Sequence, residues 1–245
     1  MSRINSLSWP TPVEELTLAN KIAIWIIPVV FGITVHEVAH GWVANQFGDS
    51  TARIAGRLTL NPIKHMDPVG TVVVPLLLLF FSGFVLGWAK PVPVDARRLR
   101  NPHRDMAIVA LAGPVSNLLM AVLWALVVKL ALFYHSGLGG AAVLLIYMGV
   151  AGVFINTILC VLNLLPLPPL DGGRVLTSLL PQRWASVVGR IEPFGLVIIL
   201  ILLLTGVLGK ILYPTLNFVG LSLNVLIGVS PDFFFSTLAV LLGAG

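Results

Sequence analysis

Long apolar runs separated by short polar connections are the dominant pattern of this 245-residue chain. The runs cover approximately residues 20–47, 105–133, 140–165 and 194–212, and a last apolar region, 217–242, is broken by Pro231 and Asp232. A helix needs about 20 mostly apolar residues to cross a bilayer, and these runs have that length. The pattern therefore predicts an all-α polytopic membrane protein with about five to six transmembrane helices.

A further apolar stretch, residues 67–88, is interrupted by Pro75, Gly83 and Gly87. Basic residues flank it on both sides, so a full crossing would put strongly basic connections on both faces of the membrane. A re-entrant hairpin removes this conflict, and the sequence leaves the choice between hairpin and full span open. With the hairpin, residues 53–104 and 174–190 share one side, which collects eleven of the fifteen Lys and Arg. We expect that side to be the cytoplasm, with the N-terminus outside.

The segment after the first span, residues 48–67, has a turn-bounded and β-prone sequence, Gly-Asp-Ser-Thr-Ala-Arg-Ile-Ala-Gly-Arg-Leu-Thr-Leu-Asn-Pro and onwards. We expect a short membrane re-entrant β segment here, and an ordinary solvated loop is an equally good interpretation. Strand-like backbone next to a membrane is stable only where protein or water forms hydrogen bonds with its N–H and C=O groups. An extended peptide added to the strand edge would form such hydrogen bonds.

Composition agrees with a membrane protein, since 57% of the residues are hydrophobic and only 10% are charged, against about a quarter in soluble domains. The net charge of +5 is modest, and the basic residues cluster near the ends of the spans, so no nucleic-acid partner is indicated. The only cysteine is Cys160, which excludes an intrachain disulfide and a cysteine-based zinc site. We expect one membrane-embedded domain, 1–245, with an N-terminal surface segment (1–19), a catalytic core (20–190) and C-terminal spans (191–245).

The first span contains the most informative motif, His36, Glu37 and His40 in an HExxH pattern. On a helix the two histidines lie one turn apart on the same face, so their imidazoles can converge on one Zn²⁺ with Glu37 beside them as a general base. Short motifs of this kind also occur by coincidence on exposed helices. Here the flanking residues are nearly all apolar, and polar groups in such a helix are costly enough that they normally mark function.

The second informative motif is residues 163–173, Asn-Leu-Leu-Pro-Leu-Pro-Pro-Leu-Asp-Gly-Gly. Three prolines prevent the helix from continuing, and Asp171 is the only acidic residue between Asp105 and Glu192. A catalytic zinc typically takes three protein ligands, so Asp171 is the best candidate for the third. A helix N-cap is the local alternative for Asp171, and His65 is an alternative ligand because its loop could fold back over the site.

With both motifs considered, the chain resembles the site-2 protease family of intramembrane zinc metalloproteases, peptidase family M50, in its compact, core-only prokaryotic form. The matching stretches are His36-Glu37-Val38-Ala39-His40-Gly41, Asn163-Leu164-Leu165-Pro166, Leu170-Asp171-Gly172-Gly173, and Ala112-Gly113-Pro114 with Asn117. The resemblance implies one Zn²⁺ bound by His36, His40 and Asp171, with Glu37 as the general base. It implies that Asn163 lies near the substrate or the tetrahedral intermediate. Asn117 is either a packing amide or a further group facing the site.

The resemblance implies a zinc metalloendopeptidase that hydrolyses a peptide bond in or near a transmembrane segment of a membrane protein, as in regulated intramembrane proteolysis. Its partners would be the lipid bilayer and a substrate whose transmembrane helix is locally unwound; no oligomeric state is indicated. We expect a multi-pass protein of the cell membrane with an active site that opens to the cytoplasmic side. The alternative is a non-proteolytic zinc-binding membrane transporter or sensor, which would have no need of Glu37 beside the first histidine.

Overall fold

The structure, a computed structural model, describes residues 17–73 and 89–242. Its α-helices are α1 (Leu18–Gln46), α2 (Thr51–Ile54), α3 (Pro102–Phe133), α4 (His135–Leu138), α5 (Gly140–Leu164), α6 (Asp171–Leu179), α7 (Gln182–Gly189), α8 (Gly195–Leu204), α9 (Val207–Ile227) and α10 (Pro231–Leu241). Single 3₁₀ turns cover Pro62–His65, Ala96–Arg98 and Glu192–Phe194, and a π-helical turn covers Pro68–Val73. The predicted surface segment, apart from its last residues, and most of the predicted hairpin lie outside the described residues.

Five helical segments within the described residues are long and apolar enough to cross a membrane, which confirms the all-α polytopic prediction. They are Ile22–Gln46, Pro102–Phe133, Gly140–Leu164, Gln182–Leu204 and Val207–Ile227. The fourth differs from the predicted run 194–212, because helix α8 ends at Leu204 and Gly206 adopts a left-handed conformation with φ +73°. The chain therefore starts a new helix at Val207 rather than continuing to residue 212.

The predicted β segment after the first span is wrong for the residues that the structure describes. Residues 48–67 form α2 and a 3₁₀ turn instead, with no strand. The carboxylate of Asp49 accepts hydrogen bonds from the backbone N–H of Thr51, at 2.9 Å, and from its hydroxyl group. The side chain of Asn61 accepts from the N–H of Ile63 at 3.1 Å. Because these side chains satisfy nearby backbone groups, helical turns form where the Leu and Thr residues alone favour a strand.

Helices α3 and α5 make the most extensive helix–helix contact among the described residues, and small residues permit the approach. At Gly149 on α5, an added Cβ would lie 2.5 Å from a methyl carbon of Val128 on α3. Small residues at such interfaces are the usual way in which membrane helices pack, because lipid provides no hydrophobic force between them. Helix α1 packs against both α3 and α5, and α6 packs against α3. These four helices form the body of the protein, whereas α8 and α9 expose most of their apolar side chains.

Candidate metal centre

Two elements bring together the three residues that the sequence predicts as metal ligands. His36 and His40 lie one turn apart on α1, and Asp171 is the first residue of α6. The two Nε2 atoms are 3.0 Å apart, and Oδ2 of Asp171 lies 3.1 Å from that of His36 and 3.2 Å from that of His40. All three residues are less than 10% exposed. Within the described parts of the chain, this is the one group of three such side chains that could hold a metal ion.

Helix α3 determines which nitrogen of each imidazole faces the group. His40 Nδ1 lies 2.7 Å from the carbonyl oxygen of Val109, and His36 Nδ1 lies 2.5 Å from Oδ1 of Asn117. Since both partners are oxygen acceptors, each Nδ1 carries the proton and donates it. The Nε2 atom of each neutral ring then has its lone pair directed at the other ligand and at Asp171.

A bound cation fits this arrangement because three acceptor atoms converge with no proton between them. Oδ2 of Asp171 is buried and makes no hydrogen bond, and a buried acceptor without a partner is costly. The donor set of two imidazole nitrogens and one carboxylate oxygen is typical of catalytic zinc. Ligand atoms around tetrahedral zinc lie roughly 3.3 to 3.6 Å apart for bonds of about 2.0 to 2.2 Å. The observed separations therefore need only a small outward adjustment to accept the ion.

Three positions on one face of α3 support the centre: Val109, Gly113 and Asn117, spaced four residues apart. Gly113 is the point of closest approach, since an added Cβ would lie 2.6 Å from Nε2 of His36 and would also meet His40. This contact gives a physical reason for the small residues that the sequence carries in this span. The α3 segment from Gly113 to Asn117 thus packs directly against the histidines.

Asp171 reaches the histidines because the chain turns sharply before it. Leu170 is the N-terminal cap of α6 and makes no side-chain capping bond, so the N-cap interpretation of Asp171 is wrong. At Gly172 and Gly173, an added Cβ would collide with the backbone of residues 164–168. The two glycines therefore let the start of α6 pack directly on the proline-containing connection that follows α5.

Glu37 lies beside the metal group on the wall of the same cavity, and residues 90–95, a segment without regular secondary structure, hold it in place. Its Oε2 accepts a hydrogen bond from the backbone N–H of Val92 at 2.7 Å. Two further residues that sequence analysis missed fasten this segment. The buried guanidinium of Arg57 donates to the carbonyl of Lys90 at 2.6 Å, and the carboxylate of Asp49, which is fully buried, accepts from the N–H of Asp95 at 2.7 Å. In the described residues this segment is thus held by side chains rather than by a neighbouring strand.

The end of this segment is exposed and charged. Hydrogen bonds from the side chain and backbone of Arg97 hold the pKa of the Asp95 carboxyl below its ordinary value. Because the pair lies at the surface, water and salt screen it and its contribution to stability is small. The backbone of Asp95, rather than its carboxylate, is what connects the segment to Asp49.

A cavity of about 630 Å³ adjoins the metal group. The residues that line it come from α1, α3, α5, α6, the segment 90–95 and the connection before α6: His36, Glu37, His40, Pro91, Val92, Pro93, Val94, Met106, Val109, Ala110, Asn163, Pro169, Asp171, Arg174 and Thr177. Asn163 is thus on the cavity wall, where its amide donates to the carbonyl of Leu159 at 2.9 Å. Asn117 is fully buried behind His36 and does not line the cavity. His65 is also buried, and its Nε2 lies 2.8 Å from the carbonyl of Thr59 rather than near the metal group.

Five candidate spans, a buried His-His-Asp group and a neighbouring carboxylate on a cavity wall define a multi-pass membrane protein with a mononuclear metal centre. The residues from 134 to 206 match the family model of peptidase family M50. A Bacillus subtilis protein, provisionally named zinc metalloprotease YwhC, is 39% identical over 78% of this chain and 85% of its own length. The chain belongs to peptidase family M50.

Two other relatives extend the comparison. A Mycolicibacterium smegmatis protein, provisionally named zinc metalloprotease Rip2, is 31% identical over 89% of this chain and 83% of its own length. A Methanocaldococcus jannaschii protein, provisionally named zinc metalloprotease MJ0611, is 29% identical over 66% of this chain and 73% of its own length. No solved structure matches the chain. The family match includes Asp171 but not the two histidines.

Proposed function

We propose that the protein is a zinc-dependent intramembrane endopeptidase that hydrolyses a peptide bond in or near a transmembrane segment of another membrane protein. The observation that carries this proposal is the convergence of His36, His40 and Asp171 beside Glu37 on the wall of one cavity, with both histidines and Glu37 in a candidate span. Membership of family M50 and the zinc metalloprotease names of its relatives support it.

In this proposal His36, His40 and Asp171 hold one Zn²⁺. When bound, the ion lowers the pKa of a water molecule toward about 7 and polarises a peptide carbonyl. Glu37 accepts the proton of the attacking water and returns it to the leaving amine. The hydrogen bond from Val92 orients the Glu37 carboxylate for this role, because it fixes Oε2 while the residue stays on the cavity wall.

Residues of the cavity wall also accommodate the substrate peptide. Helical carbonyls are protected by hydrogen bonds, so the substrate helix unwinds locally before its carbonyl reaches the centre. The residues that line the cavity include Pro91 to Val94 and Asn163. We propose that Asn163 lies close to the scissile peptide. Asn117 is assigned no contact with substrate, because it is enclosed behind His36.

The cavity supplies the water that hydrolysis needs. Its wall contains Arg174 and Thr177 from α6, and the chain after α6 carries the exposed residues Arg183 and Arg190. We propose that this side faces the cytoplasm and that the protein resides in the cell membrane, because eleven of the fifteen Lys and Arg fall in the connections assigned to that side.

The test combines zinc content with cleavage of a model single-span substrate. We expect Glu37→Gln to keep stoichiometric zinc and to lose cleavage by about 10²- to 10⁴-fold, because only the general base is removed. We expect His36→Ala and Asp171→Ala to lose zinc. Asp232→Asn is the matched control, since this exposed carboxylate lies in the first turn of α10 and does not line the cavity. Full activity of Glu37→Gln would refute the base assignment, and zinc binding without cleavage would favour the transporter or sensor alternative.

A further inference from the structure

Two buried amides connect α5 to the metal centre through α3. The side chains of Asn117 and Asn156 are fully enclosed, with no exposed surface on either residue. The Nδ2 atom of Asn117 donates to Oδ1 of Asn156 at 2.9 Å, and Nδ2 of Asn156 donates to the carbonyl of Gly152 at 2.9 Å. On its other side, Asn117 presents Oδ1 to Nδ1 of His36. The contacts form one continuous chain from the backbone of α5 to a metal ligand.

The donor–acceptor direction of this hydrogen-bond chain is determined at its end on α5. A backbone carbonyl only accepts, so the carbonyl of Gly152 requires the NH₂ group of Asn156 to face it. Oδ1 of Asn156 then faces Asn117 and requires the NH₂ group of that residue. The carbonyl of Gly32, 3.3 Å from the same NH₂ group, makes the same demand. Oδ1 of Asn117 is therefore left for His36, whose Nδ1 must carry the proton.

The opposite orientation of Asn117 would put an NH₂ group against His36 Nδ1. That nitrogen would then act as the acceptor, the proton would move to Nε2, and the lone pair that faces Asp171 would be lost. Partners of the non-ligating nitrogen hold a metal-binding histidine in the required tautomer, and their loss typically weakens metal affinity by about 10- to 100-fold.

We propose that Asn156 is a positioning residue for the metal centre: through the orientation of the Asn117 amide, it selects the His36 tautomer that binds the ion. This inference rests on the proposed function, since it assumes that His36 is a zinc ligand. Asn156 acts at a distance and touches neither the cavity nor the metal group. A purely structural alternative exists, in which the two amides only join α3 to α5, and the experiment is designed to separate the two.

The measurement is the zinc dissociation constant of the full-length protein in detergent, obtained by competition with a chelator, together with its melting temperature. Asn156→Leu keeps the size of the side chain and removes the acceptor for Asn117, so we expect zinc affinity to fall by about 10- to 100-fold. Asn156→Asp restores the acceptor and, when protonated, the donor to Gly152, so its zinc affinity should return to near the wild-type value. Thr157→Val is the matched control, because that buried hydroxyl bonds only to the carbonyl of Val153 on α5 itself. If Asn156→Leu does not accumulate, Asn156→Ser removes the same contact with a smaller change.

A double-mutant cycle with Asn117→Ala provides the second test. If Asn156 acts through Asn117, adding Asn156→Leu to Asn117→Ala causes no further loss of zinc affinity, whereas independent effects would add. Additive losses would overturn the proposal. So would an Asn156→Leu protein that melts at a lower temperature but binds zinc as tightly as the wild type. A wild type that binds no zinc would instead refute the proposed function, and this outcome is distinguishable because it does not depend on Asn156.

Discussion

Replacing Gly113 by alanine tests most directly whether the packing of α3 on α1 creates the metal centre. The substitution adds a single methyl group on the face of α3 that contacts both histidines. That methyl carbon would lie 2.6 Å from Nε2 of His36 and would also meet Nε2 of His40. Ordinary contacts of this kind are about 3.5 to 4.0 Å. The rings or the helix must therefore move by roughly 1 Å.

Two effects of Gly113→Ala oppose each other, and their magnitudes decide the outcome. Alanine favours a helix over glycine by about 1 kcal/mol. Overpacking a well-packed interior costs about 1 to 3 kcal/mol, and here the rings cannot move without losing the bonds to Val109 and Asn117. We expect only a modest change in stability but a loss of zinc affinity of about 100-fold or more, because the methyl group lies against the ligand nitrogens themselves.

The assay is zinc affinity by chelator competition, with two glycine controls. Gly149→Ala produces a comparable clash at the α3–α5 interface, 2.5 Å from Val128, but away from the centre. Gly209→Ala, in α9, meets nothing within 4 Å. We expect the first control to melt at a lower temperature and bind zinc normally, and the second to change neither property. Wild-type zinc affinity in Gly113→Ala would refute the argument that α3 shapes the site by close approach.

The remaining predictions concern the segment that holds Glu37. Arg57→Met removes the hydrogen bond to Lys90, so we expect cleavage to fall by about 10- to 100-fold through misplacement of the segment, with zinc content unchanged; equal activity in Arg57→Met and in the exposed control Arg53→Met would contradict this. Asp49→Asn replaces a buried carboxylate that accepts several donors by a group with one oxygen, so we expect it to destabilise the protein by about 1 to 3 kcal/mol. Thermal unfolding in detergent measures that loss, and an unchanged midpoint would show that the contacts are dispensable.

Those parts of the site that depend on local spacing could be predicted from the sequence. His36 and His40 are one turn apart on any helix, and an apolar run requires the helix. The proline-containing connection before Asp171 predicts a rigid turn that ends in a carboxylate. Each of these patterns is complete within about ten residues, so it survives without knowledge of the tertiary structure.

The supporting groups could not be predicted because their roles depend on contacts between segments that are far apart in the sequence. Asn156 is 39 residues from Asn117 and Arg57 is 33 residues from Lys90, and neither position carries a local motif. The β segment failed for a different reason. Its residues favour a strand, but the side chains of Asp49 and Asn61 accept hydrogen bonds from neighbouring backbone N–H groups, and those bonds favour turns.

In this protein the geometry of the metal centre depends on how the helices pack around it. Helix α3 supplies no ligand, yet it contacts both histidines and packs on α5 and α6. Lipid gives membrane helices no hydrophobic reason to associate, and an interhelical hydrogen bond contributes only about 0.6 to 2 kcal/mol. Structural zinc sites, in contrast, bind with apparent free energies of about 10 to 16 kcal/mol. A bound ion that joins α1 to α6 would thus contribute more free energy to the association of the helices than any single amide hydrogen bond. The amides at Asn117 and Asn156 then matter less for how strongly the helices associate than for which nitrogen of His36 faces the ion.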